Sequence, residues 1–295
     1  MLFDAGSTPG SRLMNHHYVP KFLLDQWTDD TGRLYRYRRR RDGALAVRQM
    51  FPKATGYGID LYARAGASSE AERHALETEF MQKIDDRGAL ALQALLGASR
   101  RPEDDGLAVD WMRFVSSMIS RSPEAIETIA GYAPVAQEAD LAALEPAYQR
   151  MREDNWAPTL AEHVAAGETG MDREHAKILL PRLITSTVIL GAMDRMHWGV
   201  VRADGADWAC LLTESPVRFG QLRTEDAFIL MPIGPNAAFL AARDPVLLRS
   251  LVTRMRSRDF VRKLNADNVS AARELVFARD RRQQRFIENR FLRAG

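Results

Sequence analysis

Apolar residues recur along this chain with two different periods. Between residues 33 and 50 they alternate with polar ones. Leu34, Tyr35 and Tyr37 interleave with Arg33, Arg36 and Arg38 as a strand, Asp42-Gly43 makes a hairpin turn, and residues 44–50 return as a second strand. From about residue 69 to residue 196 the spacing is helical. Ser68-Ser69 ahead of Glu70 and Glu72 marks a helix start, with acids at the positive end of the dipole, and the helix runs to about residue 96, where Gly97 and Pro102 end it. Asp104 or Asp105 caps the next helix at 107–122, and further helices are expected at 123–132, 136–155, 159–166 and 172–196. Trp111, Phe114, Met118, Ile178, Leu183 and Ile189 fall on helical stripes and are the expected core of this region. Short strands then come back at 198–202 and 208–212, around a turn at 203–206, and at 228–232 and 237–241. Helices are expected at 245–265, 269–279 and 281–293.

The pattern predicts an α+β fold: a mostly antiparallel sheet built from N- and C-terminal segments, with a helical insertion in the middle. Residues 1–14, rich in Gly, Ser and Pro, read as a disordered tail, and residues 15–295 as a single globular domain with its helical subregion at about 69–196. Hydrophobic residues make up 46% of the chain and charged residues 27%, the composition of a soluble domain with a real core. The apolar stretch at 187–193 is far shorter than the roughly 20 residues that span a bilayer, so no membrane partner is expected. The first residues lack the basic and apolar regions of a secretory signal, and the single cysteine, Cys210, excludes a disulfide framework; both point to a reducing, cytoplasmic setting. Cys210 itself, in an apolar run, reads as a buried thiol.

Net charge is only +2, yet it is made almost wholly of arginine, because five of the 41 basic residues are lysines. Arginine's rigid fork suits carboxylates and phosphates. Arg36, Arg38, Arg39, Arg40 and Arg41 gather near one end of the chain, and Arg279, Arg281, Arg282, Arg285, Arg290 and Arg293 near the other.

Chemistry concentrates at a few points. Asn15-His16-His17-Tyr18-Val19-Pro20 runs straight into the apolar helix Lys21 to Trp27, and the proline keeps the preceding residue extended. The histidines therefore stand just ahead of an anchored element. As strand neighbours they face opposite sides, so at most one looks into a given site. Glu70 and Glu77, two helical turns apart, share a face with Arg73 and His74: either a solvated ion-paired face or carboxylate and imidazole ligands for a divalent ion, with Glu77 the inward member. Arg121, with Ser122 and Pro123, ends an apolar helix and needs a partner, for which Glu77, Glu214 or an anionic substrate are available. Thr213-Glu214-Ser215-Pro216 follows a strand, where a carboxylate is held rigidly; the alternative is a plain turn. Gly-x-Gly-x-x-Gly, Walker, Gly-x-Ser-x-Gly, His-Glu-x-x-His and Cys-x-x-Cys signatures are all missing, which argues against dinucleotide, P-loop, serine-hydrolase and zinc-ribbon chemistry.

Taken in order and spacing, six blocks resemble the bacterial domain-of-unknown-function family 4238. They are His16-His17-Tyr18-Val19-Pro20, Glu70 with Glu77, Arg121-Ser122-Pro123, Thr213-Glu214-Ser215-Pro216-Val217, Met231-Pro232-Ile233-Gly234-Pro235 and Leu264-Asn265. The resemblance runs from residue 15 to about residue 279. Its members carry Thr-Ser-Asp-Asn-Pro at the fourth block, so Glu214 stands where the shorter aspartate is usual. The resemblance implies site residues and no reaction.

Two readings follow. In the first the protein is a metal-dependent phosphodiesterase or nuclease acting on nucleic acid or a nucleotide. His16 or His17, Glu77, Arg121 and Glu214 converge, Glu77 and Glu214 hold a divalent metal that activates water, and Arg121 steadies the phosphoryl group. In the second it is a non-catalytic module that binds nucleic acid or an acidic protein through Arg38, Arg39, Arg40 and Arg41 together with the C-terminal arginines. The first requires the four side chains within one metal shell; the second requires both arginine clusters on one face.

Overall fold

Gly56 sets the geometry of the N-terminal motif. Its φ of +71° lets its carbonyl accept the N–H groups of both Tyr18 (2.9 Å) and Val19 (3.0 Å), and a Cβ there would meet Val19 and Leu24 at 3.1 and 3.2 Å. This contact closes a two-stranded ribbon, β1 (Asn15–His17) against β4 (Tyr57–Ile59), that pins the motif onto α1 (Lys21–Leu24). The protein was analysed as a computed structural model describing residues 13–40, 42–130, 145–146, 149, 158–159, 162, 171–202, 208–222 and 224–291. The expected tail up to residue 12, the helices at 136–155 and 159–166 and the turn at 203–206 lie largely or wholly outside the described residues.

The helical region starts as expected. Ser69 accepts the Glu72 N–H at 3.1 Å and opens α2 (Glu70–Ala75), which passes through a π-helical segment, Leu76–Met81, into α3 (Gln82–Ala98). Asp104 likewise caps α4 (Asp105–Ser120), and residues 123–130 form α5. Phe114 of α4 lies directly on Gly88 of α3, where an added Cβ would stand 2.9 Å from the ring. Trp111, Phe114 and Met118 are fully buried in the principal core, as the stripe predicts. The stripe expected farther on needs correction. Ile178 is 55% exposed, while Ala176, Leu180 and Ile184, four residues apart, are the buried face of α6 (Met171–Ile184). Leu183 and Ile189 are only partly buried. The expected helix 172–196 also breaks at Thr185-Ser186, giving α7 (Thr187–Asp194). By length and composition the stretch Ala176–Asp194 is apolar enough to cross a membrane, with mean hydropathy 1.4, but this break divides it and its Leu183 carbonyl packs on Ser116 of α4.

Two four-stranded antiparallel sheets complete the fold, where a single sheet was expected. One joins β2 (Leu34–Arg39), β3 (Leu45–Met50), β6 (Leu212–Thr213) and β10 (Leu275–Ala278) in the order β3-β2-β10-β6, so it is built from N- and C-terminal segments. The other joins β5 (His197–Arg202), β7 (Arg218–Phe219), β8 (Phe228–Gly234) and β9 (Ala237–Ala242) in the order β5-β9-β8-β7. Helices α8 (Pro245–Met255), α9 (Arg258–Ala271) and α10 (Gln284–Phe291) lie toward the C-terminus.

β10 replaces part of an expected helix. All four of its residues are buried, because one side packs on the principal core (Leu275, Phe277) and the other on α10 (Val276, Ala278), so no two-residue alternation marks it as a strand. The expected strand at 208–212 shrinks to Leu212–Thr213. Upstream its main chain is bound by side chains instead: Asn265 and Gln283 both donate to the Ala209 carbonyl, and Trp27 donates to the Cys210 carbonyl at 2.8 Å. Cys210 is buried and free, and burial pushes its thiol up to about 12.

Candidate functional site

Strand geometry separates the two histidines. His16 is fully buried behind the ribbon, and its Nδ1 accepts the Tyr62 N–H at 2.8 Å. The neutral ring therefore carries its proton on Nε2, which lies 3.1 Å from Nδ1 of His74; His74 in turn presents Nε2 to Glu70 at 3.4 Å. Burial first, and then His74, lower His16 to about 4. His16, His74 and Asp60 have ligand atoms within 4.8 Å of one another, a spacing that could hold a metal ion. Their present bonds work against it. The proton of His16 occupies the Nε2 a metal would need, and the Asp60 oxygens accept from Met14 N (2.8 Å) and Arg73 Nη2 (2.9 Å). The cluster ties the ribbon to α2.

His17 faces the other side, its ring edge-on to Tyr57 at 5.5 Å. Its carbonyl accepts Arg121 Nη2 at 2.7 Å, so the motif and the end of α4 meet across 104 residues through the main chain. Arg121 is completely buried. Its guanidinium grips both oxygens of Asp85 at 2.6 and 3.1 Å, and its carbonyl accepts the Tyr62 hydroxyl at 2.7 Å. The expected partner Glu77 stands nearby instead of pairing with it. Glu77 belongs to the π-helical segment, whose wider turn carries it inward; it is 6% exposed and its Oε2 has no hydrogen-bond partner. Burial raises its carboxyl to about 7, against the pull of Arg121 and with the help of Asp85. Burial, then Lys21 and Arg121, lower His17 to about 4, and its Nε2 is also buried without a partner. His17, Glu77 and Arg121 thus share one buried polar layer, to which Asp85 and Tyr62 also belong.

Glu214 does not join them. Its carboxylate accepts three consecutive main-chain N–H groups, those of Arg273 (2.5 Å), Glu274 (2.8 Å) and Leu275 (2.8 Å), and so holds the turn that leads into β10. Burial pushes the carboxyl upward while these donors favour its ionised form. Both oxygens are occupied, so the single metal shell with Glu77 that the first sequence reading requires is not formed.

A second polar region lies on the overhang of the β3-β2-β10-β6 sheet. The register places Arg36 opposite Arg48, and Arg38 opposite Ala46 on one side and Leu275 on the other. Arg36, Arg38, Arg39, Arg40 and Arg48 line an open groove of about 1010 Å³ in which, among the described residues, Glu274 is the one acid. Arg38 pairs with Glu274 at 2.5 Å and Arg40 with Asp42 at 2.9 Å. Among the described residues Arg36 and Arg48 have no ion-pair partner, and Arg36 Nε is buried without a hydrogen bond. Burial, then Arg38 and Arg48, lower Arg36 below its ordinary value against the pull of Glu274. Burial, then Glu274 and Glu214, push the hydroxyl of Tyr18 upward. Arg39 turns its guanidinium to the opposite face, where it donates to the Phe291 carbonyl and covers that ring. The C-terminal arginines belong to that opposite face too: α10 packs on Tyr37 and Val276, Arg290 lies over Phe286, and Arg281 bonds Gln284. The two clusters are therefore back to back. Arg41 and Arg293 lie outside the described residues.

Asp85, Tyr62, Asp60 and Arg48 are the participants that sequence reasoning missed. Arg48 had a signal: once Asp42-Gly43 is a turn, the pairing of Arg40 with Ala44 sets Arg36 against Arg48. No curated protein and no solved structure matches the chain. The profile of one family, described as Protein of unknown function (DUF4238), matches residues 15–282, which include every motif block named above, and the chain belongs to that family.

Proposed function

We propose that this protein binds the phosphate backbone of nucleic acid in the groove on the β2–β3 overhang. The observation that carries the reading is the excess of guanidinium groups there: among the described residues Arg36, Arg38, Arg40 and Arg48 stand against the one carboxylate of Glu274, and of these arginines Arg36 and Arg48 have no ion-pair partner. Among the described residues Ala46 is the only apolar one in the lining, and none of them offers the aromatic or larger aliphatic anchor of a protein interface. Nor do they offer an aromatic platform for stacking bases, which favours contact with phosphates regardless of sequence. Such binding weakens with salt, log K falling by about 0.7–0.9 for each phosphate neutralised per unit of log salt. The test is fluorescence anisotropy of a labelled single-stranded oligonucleotide across a salt series. Tight, salt-sensitive binding with little preference for base sequence supports the reading; no binding at low salt by folded protein removes it.

A hydrolytic reading has one observation in its favour, the partnerless Oε2 of Glu77 on a carboxyl poised near neutral pH. In that reading Glu77 moves the proton and Arg121 positions the motif, since its fork is committed to Asp85 and the His17 carbonyl. Glu77→Gln separates the two: it abolishes any phosphodiester cleavage and leaves binding in the groove intact.

A further inference from the structure

Two of the family's sequence blocks take no part in the arginine groove. Ser122, from Arg121-Ser122-Pro123, and Ser215 and Val217, from the block that begins at Thr213, come from positions more than 90 residues apart and line one cavity of about 470 Å³. Its walls are Met118 and Ile119 of α4, Ile129 of α5, Leu183 and Ile189 of α6 and α7, and Phe219 of β7. That volume lies within the range of small-molecule sites, which are mostly apolar with a few placed polar groups.

Among those polar groups one cation and one hydroxyl are free to serve a ligand. Arg218 reaches the cavity with a half-buried guanidinium that donates only to main-chain carbonyls, Ser215 and Val217 at 3.3 Å and Asp267 at 3.4 Å. Among the described residues no carboxylate lies within ion-pair distance of it. Glu124, the one acid in the lining among the described residues, is already paired with Arg273 at 2.8 Å. Ser122 Oγ accepts the Ala125 N–H at 3.1 Å, which leaves its own proton to donate. An apolar chamber with a cation that Asp267 and Glu214 reach only from beyond ion-pair distance, and with a spare hydroxyl donor, calls for a ligand of matching form.

We infer that this cavity is a binding site for a small amphipathic anion, with an aliphatic body against Ile119, Ile129, Leu183 and Ile189 and an acidic head on Arg218 and Ser122. The site is separate from the arginine groove and does not depend on nucleic-acid binding. Octanoate and the neutral octanamide are the probes, titrated into the full chain by calorimetry. Octanoate is expected to bind one-to-one and at least about ten-fold more tightly than octanamide, the difference expected of a hydrogen-bonded charge. Arg218→Gln brings octanoate down to the octanamide level. Ala125→Leu and Ile189→Trp, which fill the chamber from two different helices, remove both ligands; the arm is read on whichever variant keeps a cooperative melt and the wild-type circular dichroism spectrum. Failure of octanoate to bind, equal affinity for acid and amide, or undiminished binding in a folded cavity-filling variant each overturns the proposal.

Discussion

Glu77 gives the site a pH dependence whose sign and size follow from its surroundings. Its carboxyl is raised from 4.5 to about 7 by burial. Between those values the folded chain holds a proton that the unfolded chain releases, so stability attributable to this group is complete at acid pH and is lost as pH rises towards 7. The rise from 4.5 to about 7 corresponds to about 3 kcal/mol. Glutamine keeps the shape and cannot ionise. The prediction therefore concerns the difference between Glu77→Gln and wild type, measured by thermal melts at pH 5 and pH 8. Whatever offset the amide causes at pH 5, the variant gains on wild type by about 6 °C at pH 8, at about 2 °C per kcal/mol for a chain of this size. The contributions of His16 and His17 are common to both proteins and cancel. A difference that stays constant with pH, or moves the other way, would refute the placement of Glu77 in a water-poor layer.

Three further outcomes test the rest of the structure. Phe114→Ala costs about 3–5 kcal/mol in urea unfolding, while Ile178→Ala on the exposed face costs under about 0.5 kcal/mol. Gly56→Ala destabilises by at least about 1 kcal/mol, because φ of +71° and the approach of Val19 both resist a side chain, and the loss is read as a lower melting temperature. His16 and His17 are held at about 4, so the unfolded chain takes up protons first and stability falls as pH drops from 6.5 to 4; the double variant His16→Gln, His17→Gln flattens that limb of the melting-temperature profile.

The parts legible in sequence are those set by local chemistry. The Ser69 and Asp104 caps, the Asp42-Gly43 hairpin and the Trp111–Met118 stripe stand where their residue types place them. Proline and alternation fixed the opposite orientation of His16 and His17. The failures share one cause, which is that a distant partner decides the outcome. β10 is a strand because Glu214, about 60 residues upstream, binds the amides ahead of it. Residues 208–211 are not a strand because Trp27, Asn265 and Gln283 take their carbonyls. Arg121 chose Asp85 over Glu77 and Glu214 because α3 and α4 cross on Gly88, a contact no single-helix pattern encodes. The two arginine clusters look alike in sequence, and only the register and α10 show that they face apart.

The central claim is that phosphate lies along the Arg36, Arg38 and Arg48 face of the hairpin and not along α10. Its most direct test compares the variant Arg36→Gln, Arg48→Gln with the variant Arg281→Gln, Arg285→Gln, by anisotropy with one labelled single-stranded oligonucleotide of about 20 nucleotides at several salt concentrations. The account predicts that the hairpin pair loses most of the affinity and lowers the salt slope by about 1.4, while the C-terminal pair stays within about two-fold of wild type. Equal losses in the two variants, or a larger loss in the C-terminal pair, would contradict it.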